Sequence, residues 1–501
     1  MKKILKYSLI TLLLLISLVF VGILYLFFVR GSNLFGLTYI AHNENYFTQA
    51  YEATGINTVQ LDNTFYDVII VPSKTENISA KIHFDTFGFT HVDYKDLKHT
   101  SNVANGVLSI TVSEPKGALV YKNSYIELKM PTNAINLSIK NDYGTTTLNN
   151  ETIKINNLSY KTKMGEFNFI KGDVLSLFDL ELENGIFRME ETAKNHDVNG
   201  LNIKVASGKF YDTTHTFGSV SITNTMRGVV TIGSCRELSQ TSQSAGGRIS
   251  VGTVNTATIS SSDTNIYISK LIGASSISLS ASGKIEIDEY TSTSTLKTTY
   301  GNILIKKANA PVVAESANGN IYIKECTSYV VSSTTIYGNI TVEFKSDAES
   351  YTPSTKTRSV TAKSSNGNIT VKGAENVNLE TTDKGNIHLE LNDVSGLNTN
   401  YEITENSTTK TYNNIVKSAK GNIYVQFKDG ADFILDTKSP KGSVNINYTA
   451  LSDAGGITNN SEITTSINNA TVSTSPTMLI ASSNGGSVVI RENALANTTN
   501  N

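Results

Sequence analysis

The chain has 501 residues and carries 42 Lys and Arg against 44 Asp and Glu, a net charge of −2. That balance excludes the concentrated positive field of a nucleic-acid surface, because no Lys/Arg cluster follows the N-terminal residues. The body is rich in Thr, Ser, Asn, Ile and Val, with 35 Gly, 7 Pro and no Trp, which favours strands joined by Asn and Gly turns.

Residues 1–6 form a short basic tail with Lys2, Lys3 and Lys6, and the run from Tyr7 to Val29 contains no charge. Such a run can cross a hydrocarbon core of about 30 Å as a helix. It ends in Phe27, Phe28, Val29 and Arg30 without an A-x-A-like cleavage site, so residues 7–29 read as an uncleaved anchor in the lipid bilayer. The basic flank places the N-terminus in the cytoplasm and the body outside the cell, a single pass through the cell membrane. Residues 30–50 read as a linker.

Residues 51–135 hold strand candidates at Thr58–Leu61, Tyr66–Val71, Ala80–Phe84, Gly106–Val112 and Tyr125–Met130, and read as an N-terminal β cap. A repeat of the form Gly-x-Ile/Val-x-Ile/Val then runs through residues 136–490. Its clearest copies start at Gly283, Gly301, Gly319, Gly338, Gly367, Gly385, Gly421 and Gly442. Weaker copies begin at Gly144, Gly165, Gly185 and Gly208, and a copy without glycine begins at Asn265. The usual step is 18 to 20 residues.

Within each copy the apolar residues alternate with outward ones, so each copy is a strand with one buried face. A rung of that length cannot bury the face alone and must stack on its neighbours. The expected fold is all-β, a single-stranded β-solenoid with about 18–20 residues per rung, an N-terminal β cap and one transmembrane helix. A β-sandwich array is the rival, but hairpins show turn signals every 8–12 residues or so without a constant long period. The glycines are expected to supply positive φ at a corner, and the following asparagines to stack as an amide ladder. The interval from Gly385 to Gly421 reads as two rungs, Ser346–Ser359 as an extruded loop, and Tyr448–Ser483 as two rungs with an insertion. Residues 491–501 read as a polar tail.

The stretch YIELKMPTNAINLSIKNDYGTTTL from Tyr125 to Leu148, followed by copies of S-x-N-G-N-I-x-V, resembles the bacterial "putative adhesin" family of β-strand-repeat proteins of unknown function. The resemblance spans about Gly55 to Ile490. It implies an exported, membrane-anchored β-solenoid, and it supplies no catalytic residues.

Cys235 and Cys326 lie about five rungs apart, beyond disulfide reach along a stack spaced at about 4.8 Å; they read as separate buried thiols. His83, His91 and His99 share a spacing of eight with Asp85 and Asp93 nearby, a weak metal signal that a loop would break. No nucleophile elbow, P-loop or His-Glu-x-x-His occurs, so no cofactor, metal or catalytic residue is expected. Glu286 and Asp288 flank Ile287, which is a weak glycosidase signal. Tyr267, Tyr322 and Tyr424 are expected on the outward face, as candidate contacts for a cell-surface glycan or an envelope protein. The resulting expectation is a non-enzymatic, membrane-anchored extracellular scaffold acting in adhesion or envelope interaction. The alternatives are an envelope-associated sensory or accessory subunit with a membrane partner, and a polysaccharide-active enzyme.

Overall fold

The computed structural model describes residues 2–30, 39–89, 99–112, 119–121, 123–190, 197–241, 246–327, 330–345, 358–391, 401–405, 408–412, 414–428, 433–441, 443–447, 457–460, 462–467 and 478–493. Among the described residues the fold is all-β apart from one helix, Lys2–Arg30, and the strands stack as a β-solenoid. The chain divides into two compact units, Met1–Thr214 and His215–Asn501.

In the first unit the helix is apolar from Tyr7 to Leu24, and none of that stretch is buried against the protein. It is the one helix among the described residues long and apolar enough to cross a membrane. The strands expected from residues 51–135 are present, as Thr58–Asn63, Asp67–Pro72, Asn77–Phe89, Val107–Val112 and Tyr125–Met130. Their order in the stack departs from their order in the chain. Val59 pairs with Leu108 on one side and Leu137 on the other, while Val68 pairs with Ile126 and Thr146, all in parallel. The rung 58–72 therefore lies between two rungs that are consecutive in the chain. Antiparallel strands, His99–Ala104 on Val107–Val112 and Asn77–Phe89 on Tyr125–Met130, close the outer side.

The weak copies at Gly165, Gly185 and Gly208 differ from the others because the first buried residue of each is Phe. Phe167, Phe187 and Phe210 are fully buried and stack with ring centroids 4.8 and 5.7 Å apart. Offset aromatic stacking does here what aliphatic packing does elsewhere.

In the second unit most rungs consist of two strands, such as Ile303–Ala308 with Val312–Ser316, or Ile321–Cys326 with Val330–Thr335. Each strand pairs in parallel with the same position of the next rung. Ile285, Ile303, Ile321, Ile340, Ile369, Ile387 and Ile423 form one continuous series of partners. All seven are 0 % exposed, and each buried aliphatic side chain contributes roughly 1.5–3 kcal/mol. The glycine-free copy takes its place in the same series, with Ile266 between Ile249 and Ile285.

Two expectations about spacing are corrected. The interval from Gly385 to Gly421 holds one rung, since Ile387 pairs directly with Ile423; the extra residues include an antiparallel hairpin, Tyr401–Glu405 with Thr408–Tyr412. Hairpin strands of that length carry no ladder glycine and pair with each other, so a doubled spacing did not require a doubled rung. The expected pair of rungs over Tyr448–Ser483 is also different. Ile457–Asn460 and Glu462–Ile467 run antiparallel on Val444–Asn447 and Phe433–Lys438. Met478–Ser483 then returns to a parallel position inside the stack. Residues 346–357 of the expected loop lie outside the described residues, while Ile340 pairs directly with Ile369 across that interval.

Candidate functional site: turns and outward face of the solenoid

The turns of the repeat depend on close approach. A Cβ on Gly301, Gly319, Gly338, Gly367, Gly385 or Gly421 would fall within 3.0 Å of the carbonyl oxygen of the ladder glycine one rung before, and on Gly283 it would meet the Thr264 carbonyl. None of these glycines has a left-handed φ. The expected role is thus corrected: glycine is required for contact between turns, and its backbone is ordinary. Gly442 lies outside the described residues.

The asparagine ladder also has a different chemistry from the one expected. The side-chain Oδ1 of each Asn accepts the backbone N–H of the next Asn. Asn302, Asn320, Asn339, Asn368 and Asn386 each bind Asn320, Asn339, Asn368, Asn386 and Asn422 in turn, all at 2.8 Å. The amide thereby satisfies a turn N–H that the sheets leave unpaired. Sequence reasoning missed a third member, the Ser or Thr three residues before the glycine. Ser316, Thr335, Ser364 and Ser418 accept the N–H of Gly319, Gly338, Gly367 and Gly421 at 2.8–3.0 Å. Each also donates its hydroxyl to the glycine carbonyl one rung before, at 3.0–3.3 Å. The recurring Ser in S-x-N-G-N-I-x-V was the available signal.

Tyr267, Tyr322 and Tyr424 occupy one outward column, the position after the first buried residue of each rung. Its partners run Tyr267, Glu286, Leu304, Tyr322, Thr341, Thr370, His388, Tyr424. The three rings share a column and are kept apart by the residues between them. Tyr424 is exposed beside His388, whose Nε2 lies 3.0 Å from Glu390.

Tyr267 has the densest surroundings. The Arg248 guanidinium lies 4.4 Å from its ring centroid and the Lys284 ammonium 5.9 Å, distances at which the ring face attracts cations. A shallow depression of about 340 Å³ is lined by Arg248, Tyr267, Glu286, Asp288 and Lys306, among others. Glu286 accepts from Lys284 at 2.7 Å and Lys306 at 3.0 Å, and Lys306 also reaches Asp288 at 2.7 Å. The hydrogen bond from Lys284, assisted by Lys306, holds the Glu286 carboxyl below the ordinary carboxylate range. Bonds to Asp288 and then Glu286 push the Lys306 ammonium up. A glycosidase acid needs a raised pKa, whereas the Glu286 carboxyl is held ionised by lysines. The cluster joins residues of consecutive rungs, so the signal for it was the repeat step applied to charged positions.

The described members of the histidine set lie on separate partners. His83 bonds through Nδ1 to Asn45 at 2.9 Å, and His99 sits against Tyr46 on another strand; His91 and Asp93 lie outside the described residues. Among the described residues no group of three or more His, Cys, Asp or Glu is placed to hold a metal ion. Neither Cys235 nor Cys326 is in a disulfide, and both are buried; burial pushes the Cys235 thiol up to about 12. Sequence reasoning also missed the turn edge, where Tyr300 and Tyr337 are exposed just before ladder glycines. At equivalent turns of the first unit, the exposed rings of Phe65 and Tyr143 stack 4.9 Å apart.

A comparison with curated proteins returned no match. Solved structures that resemble the chain include a "putative adhesin" from Parabacteroides merdae, at 10% identity and TM-score 0.23, covering 70% of this chain and 95% of that one. A "putative cell adhesion protein" from Clostridium sporogenes has 9% identity and TM-score 0.14, with 90% and 100% covered. A "putative adhesin" from Bacteroides fragilis has 10% identity and TM-score 0.19, with 90% and 97% covered. The model of the Toastrack DUF4097 family matches residues 56–372, well over half of the chain. With its stacked rungs and repeated glycine turns, the chain belongs to the Toastrack DUF4097 family.

Proposed function

We propose that this chain is a non-enzymatic scaffold held at the cell membrane by its N-terminal helix, with the solenoid outside the cell engaging a glycan or envelope protein. One observation carries the reading: no residue of the apolar stretch Tyr7–Leu24 is buried in the protein. Such a helix finds its stable surroundings in hydrocarbon, and the basic tail at Lys2, Lys3 and Lys6 orients it with the body outside. The outward face supports a recognition role. Its buried columns maintain the stack, and its variable positions, such as Tyr322, Thr341 and Tyr424, present hydrogen-bonding groups at regular intervals. Repeated weak contacts along such a face would add through multivalency.

Two experiments test this. The full chain expressed in bacteria should stay in the membrane fraction after carbonate washing, with its body cleaved by protease added to intact cells. The body without residues 1–38 should be released and should bind a glycan array or isolated envelopes. A carbonate-soluble full chain would refute anchoring. A body that binds no glycan or envelope, while the full chain co-purifies with one membrane protein, would favour an accessory subunit.

A further inference from the structure

We propose that Met478–Ser483 and Val488–Asn493 fill an exchangeable slot in the solenoid, one that accepts the same segment from a second copy of this chain. The segment forms a rung between Asn414–Ser418/Ile423–Lys428 and Phe433–Lys438/Val444–Asn447, paired in parallel on both sides. Those two flanking rungs are consecutive in the chain. A solenoid growing in chain order would stack them directly, so the inserted segment must enter a gap held open or reopened for it.

The register permits both arrangements. Ile423 and Val444 share the partner Val488, Val425 and Ile446 share Ile490, and Lys417 and Lys438 share Ser482. If the insert left, its neighbours would close in the same register, and no side chain would change faces. The rung 58–72 of the first unit is also enclosed by consecutive rungs. It precedes both of them in the chain, however, so they can add to it in order of synthesis. Residues 478–493 follow both of theirs.

Recognition in the slot uses only the common rung pattern. The Ser483 hydroxyl donates to the Gly421 carbonyl at 2.8 Å, and the Ser487 N–H donates to Asn422 Oδ1 at 2.9 Å. On the other side, the Ser439 hydroxyl donates to the Gly486 carbonyl at 2.6 Å, and the Val488 N–H donates to the Ser443 carbonyl at 2.9 Å. Leu479, Ala481, Val488 and Ile490 are fully buried. The identical segment of another copy makes the same bonds and the same burial, so exchange leaves the contact energy unchanged. This is strand addition at an interior position, with domain swapping as its consequence.

Disulfide trapping tests it with the full chain in detergent. Tyr424 and Val489 are register neighbours, and adjacent parallel strands lie about 4.8 Å apart, within disulfide range. A chain carrying both Tyr424→Cys and Val489→Cys should form an intramolecular disulfide; its absence would refute the inserted position itself. Copies carrying Tyr424→Cys alone and Val489→Cys alone are then mixed in a glutathione redox buffer. A linked heterodimer is expected, at about tenfold the yield of a Tyr322→Cys and Thr341→Cys mixture, corresponding to a preference of ~1.4 kcal/mol. Tyr322 and Thr341 are register neighbours in ordinary consecutive rungs. Equal yields from the two mixtures would overturn the exchange.

Discussion

The turn of each rung depends on three atoms that leave no room for change. The N–H of Gly319 is bonded to Ser316 Oγ at 2.8 Å, and a Cβ at Gly319 would run into the Gly301 carbonyl. Gly319→Ala should therefore cost about 3 kcal/mol in urea unfolding, the upper end of the range for overpacking. Asn318→Ala, at the exposed tip next to it, should stay within about 0.5 kcal/mol; equal effects would show that the close approach is unimportant. Ser316→Ala leaves a buried N–H without its acceptor and should lose roughly 1–3 kcal/mol. Ser316→Thr should restore most of that loss, because the Thr335 hydroxyl accepts the equivalent N–H in the next rung. The Glu286 cluster has a pH signature. Its folded carboxyl lies below the ordinary range, so its stabilisation is present above the unfolded value of about 4.3 and is lost as pH falls through the folded value. The stability difference between the native chain and Glu286→Gln should be present at neutral pH and close in acid. A difference constant down to the acid limit would mean that the lysines do not hold this carboxylate.

At the scale of elements, the repeat was legible where one residue type had one job. The Ile and Val positions alternate because the buried face repeats every second residue, and that alternation was visible without coordinates. The same logic failed at Gly385–Gly421, where spacing alone could not separate a second rung from the hairpin Tyr401–Glu405/Thr408–Tyr412. The hairpin strands pair with each other, while Ile387 and Ile423 pair without them. Replacing residues 393–412 by a short Gly-Ser linker should accordingly leave the unfolding midpoint nearly unchanged, since loop length enters loop closure only logarithmically. A large loss of stability in calorimetry would mean that the hairpin supports the rungs beside it. Tyr267, Tyr322 and Tyr424 share one column, but their neighbours were not legible, because Arg248 and Lys284 reach Tyr267 from positions that only the stacking register brings together.

For the molecule as a whole, each unit closes an end of its stack with antiparallel strands, His99–Ala104 and Asn77–Phe89 in one, Ile457–Asn460 and Glu462–Ile467 in the other. Such closure covers parallel edges that would otherwise template further strands. Rungs with partners on both sides should open less often than the closing strands. Hydrogen exchange should therefore show stronger protection at the amides of Ile303 and Ile321 than at Ile457–Asn460, and the reverse order would contradict the stacking. By itself the sequence determined the apolar helix, the rung length, the buried columns and the glycine positions. These follow from local periodicity and from surface that one rung cannot bury alone. Only the tertiary structure decided the order of rungs around 58–72 and around 478–493, the bonding of the Ser-Gly-Asn turns and the grouping of charges around Tyr267. A parallel strand presents the same ladder to any rung in register, so chain order cannot say which rung lies beside it.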